Sequence, residues 1–590
     1  MPAYDLGALH VTGAPPLDPA IAAELAPFAR VASQRLLDLS AAGDAALILV
    51  NGQVVEARLG APPVLRAARD VWWAAFGPGA EPLVLADRAG DEEAHLERAG
   101  VRLDARPTRQ VDPVWTRGQL AWAEVAPDGT DTELWLGDGR GAGRRVFAGA
   151  GAWSPQDLSR DGTQLLARHV ESSARSALYR IDVATGAAVA LTPVAPDAAT
   201  PRGRFGPAGE LLALTTAGGR DRTALVALGP AGARVLAAVA DADVADLALL
   251  PRGGLAYVVD DERGESRLYV GDALAAGAPT GGVISDLHAA LAGDANADVL
   301  AFTATDPQHP KRAVRYDVAA RLAEAFAPVE SPIDPDAFVA PASASTRAAD
   351  GTTVALLVYT PPLSVAPAPV VLAFHGGPED RVTPRYDGFV QFLVHRGFAV
   401  VLPDVRGSTG HGRAFAALDD GPRRADVLLD VAATLAWIRA RPELDPHRVA
   451  ALGTSYGGWL ALAAATAFPT ELRAAIALSG IASLPAFLAT TRADRRAHRR
   501  AEYGDERDPA VASSLAALSP APRIPLLVAY GAHDPRVPPA ATVALVAAAR
   551  RAGTPVWALV AADDGHAFSQ AGNRGAFEVA VAAFLARHVL

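Results

Sequence analysis

The stretch RVAALGTSYGGWLALAAATA, residues 448–467, decides the fold of the C-terminal half. An apolar run that suits a buried strand leads into the pentapeptide GTSYG at residues 453–457 and then into an alanine-rich run that suits a helix. A G-x-S-x-G sequence in this context is typical of a nucleophile elbow, where a serine occupies a sharp, strained turn. Glycines leave room for such a turn. The stretch therefore predicts an α/β sheet that presents Ser455 at the carboxyl end of a strand.

Around this stretch, apolar β-rich runs that end in Gly- or Asp-rich turns alternate with helical patterns. The runs are 370–378, 398–410, 473–480, 524–538 and 556–568, and the clearest helical patterns are 426–440, 539–553 and 576–589. Such alternation favours a doubly wound, mostly parallel sheet with helices on both faces and function at the carboxyl ends of the strands. We therefore predict an α/β-hydrolase domain over residues 331–590.

The N-terminal part follows a different pattern. After a helical pattern at residues 19–39, short β runs separated by turns recur up to about residue 327. The clearest copy of the repeat is 153–193, and weaker copies start at Phe205, Leu249 and Val125. A period of about 40 to 45 residues matches a four-stranded propeller blade. Residues 1–330 are thus expected to form an N-terminal helix and an all-β propeller of about seven blades, with six or eight left open.

A serine hydroxyl needs a histidine base, and the base needs an acid that fixes its tautomer. In the α/β-hydrolase fold the chain order is Ser, acid, His. Asp534 and His566 follow the next strand-like runs in that order, each in a turn at a strand end. His533 is the main rival for the base, and a turn-capping role is the alternative for Asp534. The predicted catalytic residues are Ser455, Asp534 and His566.

The developing oxyanion also needs hydrogen-bond donors. The backbone N–H of Tyr456 is one natural donor, because it follows the nucleophile directly. The second is expected from His375-Gly376-Gly377-Pro378, which follows the strand-like run VVLAF, and Gly376 is the residue predicted. The alternative is that these glycines only form a tight turn.

Composition excludes several classes of function. The net charge of −11, with no basic stretch, disfavours nucleic acid as a partner, and the lack of cysteine excludes disulfides and thiolate chemistry. No H-E-x-x-H, phosphate-binding or dinucleotide pattern occurs, so neither a metal nor a cofactor is expected. The N-terminus lacks a secretory pattern, and no run is long and apolar enough to span a bilayer. A cytoplasmic protein without membrane attachment is the expectation.

HGGP, DVRGSTGHG, GTSYGG, AEYGD, GAHDPRVP and DDGHAF occur in the order and approximate spacing of the prolyl oligopeptidase family. The chain resembles the acylaminoacyl-peptidase branch most, over residues 340–590. This resemblance implies a serine peptidase whose propeller admits short peptides and excludes folded proteins. The resemblance also leaves a homo-oligomer open, because members of that family often assemble into dimers or larger rings.

The resemblance assigns further roles. Arg536 matches an arginine that binds a substrate backbone carbonyl near the scissile bond. Tyr456, Leu484 and Phe487 would line an apolar pocket for the residue before the cut, although ordinary core packing is an equal alternative. Dipeptidyl peptidases of the family hold the substrate amino terminus with paired glutamates. The one Glu-Glu pair here, Glu92-Glu93, lies in a charged run that we interpret as a solvated turn.

The sequence thus predicts hydrolysis of peptide bonds in short peptides by acyl transfer, in an acylaminoacyl-peptidase or oligopeptidase mode. A dipeptidyl peptidase is one alternative. A carboxylesterase is another, because fold and triad would be shared and only the substrate would differ. A noncatalytic binding protein with a vestigial hydrolase domain is a third. Cleavage-site preference, the physiological substrate and the oligomeric state do not follow from these residues.

Overall fold

A computed structural model describes residues 4–67, 71–87, 91–126, 129–230, 232–291, 298–362 and 367–590. Seven four-stranded antiparallel sheets follow one another from Gln34 to Ala325, and one ten-stranded sheet forms the second part of the molecule. The seven sheets confirm the predicted propeller and its blade count. We call the second part the α/β domain.

Each propeller blade is a meander in which the strands lie side by side in chain order, so the first strand forms one edge of its sheet. In chain order the blades are Gln34–Leu39, Ala45–Val50, Gln53–Arg58 and Val64–Ala67; Val71–Ala75, Leu83–Ala86, His95–Arg98 and Val101–Arg102; Arg109–Thr116, Gln119–Val125, Asp131–Gly137 and Arg144–Ala150; Ala152–Leu158, Gln164–Val170, Ser176–Asp182 and Ala188–Ala190; Arg202–Phe205, Leu211–Thr215, Ala224–Gly229 and Gly232–Ala237; Ala242–Leu249, Leu255–Asp261, Ser266–Val270 and Ala273–Leu274; Val283–Ala289, Val299–Thr305, Arg312–Asp317 and Leu322–Ala325.

Aspartates in the first strands join neighbouring blades. The Asp157 carboxylate accepts from the backbone N–H of Phe205 in the next blade at 3.0 Å, and Asp246 accepts in the same way from Leu287 at 3.1 Å. Between the last and first blades, the Leu36 N–H donates to Thr303 Oγ1 at 2.9 Å. These bonds satisfy backbone N–H groups of the first strands, and they connect neighbouring blades.

The sheet of the α/β domain contains six parallel strands flanked by antiparallel pairs at both edges. From one edge to the other its strands are Tyr4–Leu6, Leu9–Thr12, Val556–Ala561, Leu526–Gly531, Ala474–Leu478, Leu444–Thr454, Ala368–Phe374, Ala399–Asp404, Thr353–Tyr359 and Ala342–Arg347. This order confirms the predicted doubly wound, mostly parallel sheet.

Helices cover both faces of that sheet. They are Pro19–Ala29, Gly388–His395, Arg413–Ala416, Val427–Arg439, Tyr456–Ala467, Leu484–Thr490, Ala493–Tyr503, Pro509–Ala517, Ala540–Arg551 and Ala571–His588, with 3₁₀ turns at Pro335–Ala337 and Gly421–Asp426. One core packs Trp459 and Leu460 against the sheet, and the opposite core packs Phe577 and Phe584. Within the described residues, no helix is long and apolar enough to cross a membrane.

The N-terminal segment corrects the predicted division at residue 330. Strand Leu9–Thr12 pairs with Val556–Ala561, and helix Pro19–Ala29 packs beside the last helix, so residues 4–29 belong to the α/β domain. The helix also ends at Ala29 rather than near residue 39. Leu36, Leu37 and Leu39 are buried in the first strand of the propeller instead, because β pairing with the next strand overrides the local helical pattern.

Candidate active site

Ser455 lies at the turn between strand Leu444–Thr454 and helix Tyr456–Ala467, with φ of 60° and ψ of −120°. This backbone conformation is costly for a residue with a side chain and persists only where the surroundings impose it. They do so here by close packing. A methyl group on Gly457 would overlap the carbonyl oxygens of Phe374 and His375, and one on Gly453 would overlap the carbonyl of Gly457. The pentapeptide therefore forms the elbow that its sequence predicts.

Asp534 and His566 come together at the ends of neighbouring strands. His566 Nδ1 lies 2.7 Å from Asp534 Oδ2, and the Asp534 side chain has no exposed surface. The other carboxylate oxygen, Oδ1, accepts from the backbone N–H groups of Arg536 and Val537, each at 2.9 Å. Asp534 is thus held from behind while one oxygen faces the imidazole, which orients the ring and favours the Nδ1–H tautomer.

The loop that carries His566 is itself built around a buried carboxylate. Asp564 is fully buried and accepts from the N–H groups of Gly565, Ser569 and Gln570 at 2.9 to 3.1 Å. Gly531, at the end of the preceding strand, has no room for a methyl group beside this loop. The rival base, His533, is exposed. Burial and packing of the loop therefore favour His566 over His533 as the base.

Two hydrogen bonds bring the histidine loop to the serine. The N–H of Ser455 donates to the carbonyl of Leu478 at 2.9 Å, and the N–H of Ala567 donates to Ser479 Oγ at 3.3 Å. Leu478 and Ser479 are consecutive residues at the end of the strand next to Leu444–Thr454. The nucleophile and the base are therefore anchored to the same strand end, as the order of motifs predicts.

The glycine loop, residues 375–380, follows strand Ala368–Phe374 on the other side of the serine. A methyl group on Gly376 would lie 3.7 Å from Cβ of Ser455 and 3.3 Å from the carbonyl oxygen of Thr454, so this glycine lies directly beside the nucleophile. Tyr456 is the first residue of its helix, where backbone N–H groups lack intrahelical partners. Both predicted oxyanion donors thus lie next to Ser455.

The side chain of Tyr456 points into a buried ionic network. Its hydroxyl lies 3.2 Å from Asp419, and the Arg424 guanidinium pairs with the same carboxylate. Arg424 also donates to the backbone carbonyl of Glu502 at 2.9 Å. Burial raises the pKa of Tyr456 well above its ordinary value, and the Asp419 charge adds to that effect. Tyr456 therefore contributes a neutral hydroxyl to a network that lies beneath the nucleophile.

Leu484 and Phe487, two of the three residues predicted to line the pocket, lie in the main core of the α/β domain. Leu484 has no exposed surface and Phe487 is 7% exposed. Phe487 meets the Tyr503 ring edge-on with centroids 5.7 Å apart. Both residues thus take the core packing that was the alternative to the pocket role.

Arg536 reaches the propeller. Its Nε donates to the carboxylate of Glu92, which is only 6% exposed, and Arg495 donates to the other oxygen of that carboxylate at 3.2 Å. The interpretation of Glu92-Glu93 as a solvated turn is therefore wrong for Glu92, although it holds for Glu93, which is exposed. Two arginines from the α/β domain compensate the buried charge, and they lie too far away in sequence to be visible in the local charge pattern.

One charged helix, Ala493–Tyr503, makes two of the contacts across the domain boundary. Besides Arg495, its Asp494 pairs with Arg109 of the propeller, where both side chains are at least 90% buried. Arg492, which precedes the helix, pairs with Glu93 at 3.0 Å. The second propeller blade and the start of the third are thereby tied to the α/β domain beside Arg536.

A strained serine at an elbow, a buried Asp-His pair and backbone donors at the carboxyl ends of a doubly wound sheet define an α/β-hydrolase site, here adjoining a seven-bladed propeller. Residues 384–590 match the model of the prolyl oligopeptidase family. This part of the chain is therefore similar to that family.

Similar proteins agree with this assignment. The chain is 33% identical over 230 residues to dipeptidyl aminopeptidase BIII of Pseudoxanthomonas mexicana, which covers 38% of this chain and 33% of that enzyme. It is 32% identical over 124 residues to the acylamino-acid-releasing enzyme of Mus musculus, covering 21% of this chain and 17% of that enzyme. The chain thus matches a third or less of the length of these relatives. A puromycin hydrolase structure superposes with a TM-score of 0.82 at 20% identity, covering 97% and 96% of the two chains, which shows the shared fold.

Proposed function

We propose that this protein is a serine peptidase that hydrolyses short peptides by acyl transfer. His566 takes the proton of Ser455 as the hydroxyl attacks the scissile carbonyl, and Asp534 stabilises the resulting imidazolium. The oxyanion is held by the N–H groups of Tyr456 and Gly376, and His566 then protonates the leaving amine. Water, activated by the same histidine, releases the acyl group. The buried 2.7 Å contact between Asp534 and His566 supports these roles.

The propeller favours peptides over small esters as substrates. Contacts such as Arg109 with Asp494 and Arg536 with Glu92 press the second and third blades onto the α/β domain beside the site. A cover of this kind restricts the size of what enters, which a small ester does not require. A carboxylesterase remains the second candidate, because the same triad would serve both reactions.

We further propose that the enzyme recognises a free amino terminus, as the dipeptidyl peptidase alternative requires. The position of the Glu92 carboxylate supports this mode, because it is buried on the propeller and contacts Arg536. Arg536 would bind a substrate carbonyl near the cut, so an amine one or two residues away would reach Glu92. Glu93 supplies a second carboxylate beside it. Similarity to a dipeptidyl aminopeptidase supports the same mode.

Glu92 has features that a simple interdomain ion pair does not need. Its φ is +58°, a conformation that costs on the order of 1 kcal/mol or more for a residue with a side chain and is typical of functional sites. Its two arginine partners occupy two of the roughly four acceptor positions that a carboxylate offers. An ammonium group can therefore join them without displacing either arginine.

The test compares a free-amino dipeptidyl anilide with its N-acetylated form, using wild type and Glu92→Gln. Glutamine keeps the size of the side chain but removes the charge that attracts an ammonium. We expect kcat/KM for the free-amino substrate to fall roughly 10- to 100-fold, mainly through KM, with little change for the acetylated substrate. Glu262→Gln is the matched control. Glu262 also pairs with an arginine at the domain boundary, Arg222, which donates to the carbonyl of Gly410 and not to a residue near Arg536 in the sequence.

Equal losses for both substrates would show that Glu92 acts only in holding the domains together. A wild-type preference for the acetylated substrate would instead support the acylaminoacyl-peptidase mode. Cleavage of a short ester without cleavage of either peptide would favour the carboxylesterase. A cytoplasmic location, the formation of a homo-oligomer and the exclusion of nucleic-acid partners stay predictions.

A further inference from the structure

The glycine loop is braced at both ends by side-chain hydrogen bonds. At its start, His375 Nε2 lies 2.8 Å from Ser408 Oγ, which in turn donates to the carbonyl of Val405 at 2.6 Å. Near its end, Glu379 accepts from Ser173 Oγ of the propeller. The first brace lies within the α/β domain, whereas the second crosses to the propeller. The glycine loop therefore has one anchor that depends on how the two domains meet.

The other oxygen of Glu379 is held by the charged helix. His498 Nε2 lies 2.9 Å from Glu379 Oε2, so each carboxylate oxygen has its own partner. Burial alone would raise the pKa of Glu379, but the bonds from His498 and Ser173 outweigh burial and lower it. Glu379 therefore remains ionised and acts as a fixed acceptor for both partners.

The surroundings of Glu379 are ionic but balanced. Glu379, His498 and Glu502 place possible metal-ligand atoms within 4.8 Å of one another. Glu502, however, accepts from Arg499 at 2.9 Å and lies 3.6 Å from Arg424, so guanidinium groups already supply positive charge there. We therefore interpret the cluster as part of an ion-pair network and not as a metal site.

The connection from Glu379 to the oxyanion donor is short. Pro378 lies directly before it and fixes its own φ, and Gly376 lies three residues before it beside Ser455. A shift of Glu379 is thus transmitted to the Gly376 N–H, where a misplacement of about 1 Å is enough to cost on the order of 100-fold in rate. The brace at His375 holds the other side of Gly376, so the two braces together fix the position of this N–H.

We propose that Glu379 is a positioning residue through which Ser173 of the propeller and His498 of the charged helix hold the Gly376 N–H in place for the oxyanion. This proposal rests on the proposed serine-peptidase function. It makes efficient turnover depend on contact between propeller and α/β domain. It does not require Glu379 to touch the substrate.

Glu379→Ala and Ser173→Ala test the proposal. In each variant kcat and KM are measured on a chromogenic peptide, and the concentration of active sites is determined by titration with a fluorophosphonate. An oxyanion donor acts in the transition state, so we expect kcat to fall roughly 10- to 100-fold in Glu379→Ala and several-fold in Ser173→Ala, with KM little changed. Glu379→Gln should recover most of the loss, because its amide oxygen still accepts from Ser173. Glu171→Gln is the matched control, because Glu171 lies close to Ser173 in the propeller but pairs with Arg175, and this variant should leave kcat unchanged.

The double variant Ser173→Ala/Glu379→Ala gives the sharpest result. If Ser173 acts through Glu379, the double variant should be no slower than Glu379→Ala alone. Independent, multiplying losses would overturn the proposed connection, and so would a kcat in Glu379→Ala within about twofold of wild type. Loss of activity in Ser455→Ala together with an unchanged Glu379→Ala would reject this inference alone. Activity that survives in Ser455→Ala would reject the serine mechanism itself.

Discussion

Asp534→Asn changes one atom of the proposed triad and leaves its surroundings in place. Asparagine keeps Oδ1 as an acceptor for the N–H groups of Arg536 and Val537, both now at 2.9 Å. Its amide nitrogen replaces Oδ2, which faces His566 Nδ1 at 2.7 Å and has no access to solvent. That nitrogen is a donor, so the imidazole must turn its unprotonated Nδ1 toward it and carry the proton on Nε2. The histidine then cannot accept the proton of Ser455.

The expected loss follows from this tautomer. Wrong tautomers at such sites lower kcat by about 10⁴, which corresponds to about 5.4 kcal/mol in the activation barrier. The assay is steady-state hydrolysis of a chromogenic peptide, with melting temperature as a check that the fold is intact. Asp563→Asn is the matched control, because Asp563 lies in the histidine loop but bonds to Asn573 rather than to His566. A kcat in Asp534→Asn within about tenfold of wild type would show that Asp534 is not the acid.

Two further predictions concern the network beneath the nucleophile. Arg424→Met leaves the buried Asp419 without its cation, so the free energy of unfolding in denaturant should fall by about 3 to 5 kcal/mol. Arg423 is exposed, and Arg423→Met should change this free energy by less than about 1 kcal/mol. Equal changes in the two variants would contradict a stabilising role of the Arg424–Asp419 pair. Burial raises the pKa of Glu502 from 4.5 to about 7, although Arg424 and Arg499 oppose it, so the folded state binds a proton more tightly than the unfolded state does. The stability that this proton contributes is present at pH 4 and is lost as the pH rises through 7, by up to about 3 kcal/mol. The test compares the free energy of unfolding of wild type and Glu502→Gln at pH 5 and pH 8, and the variant should not show this loss.

The residues of the proposed triad could be located from sequence because their signals are local. Each of Ser455, Asp534 and His566 follows an apolar run that ends in a turn, and the fold dictates their order. Strand ends of a parallel sheet meet at one edge, so position in the sequence implied position in space. The same reasoning located Gly376 beside the serine.

The residues that sequence reasoning missed depend on how the propeller meets the α/β domain. Glu92 is buried because Arg495 and Arg536 approach it from more than 400 residues away, and no local pattern records that approach. Glu379 follows HGGP, and nothing in the surrounding sequence distinguishes it from other charged residues. Its contacts with Ser173 and His498 are visible only in the structure. The adjacency of Glu92 and Glu93 was a signal in the sequence, but the charged residues around the pair favoured a solvated turn.

The N-terminal strands escaped prediction for a similar reason. Residues 4–12 are too short to identify as strands by themselves, and their partner, Val556–Ala561, lies at the other end of the chain. Long-range pairing decides such a segment, whereas local propensity is a weak guide. Blade repeats were easier to detect, because each blade pairs only strands that follow one another.

In the proposed mechanism, Ser455 forms an acyl-enzyme with peptide substrates. The most direct measurement is hydrolysis of a matched panel by wild type and Ser455→Ala, with a free-amino dipeptidyl anilide, its N-acetylated form, an internally blocked peptide and a short ester. We expect wild type to cleave the free-amino peptide best and Ser455→Ala to lose essentially all activity. Peptide cleavage that persists in Ser455→Ala would contradict the mechanism, and ester cleavage without peptide cleavage would contradict the proposed substrate class.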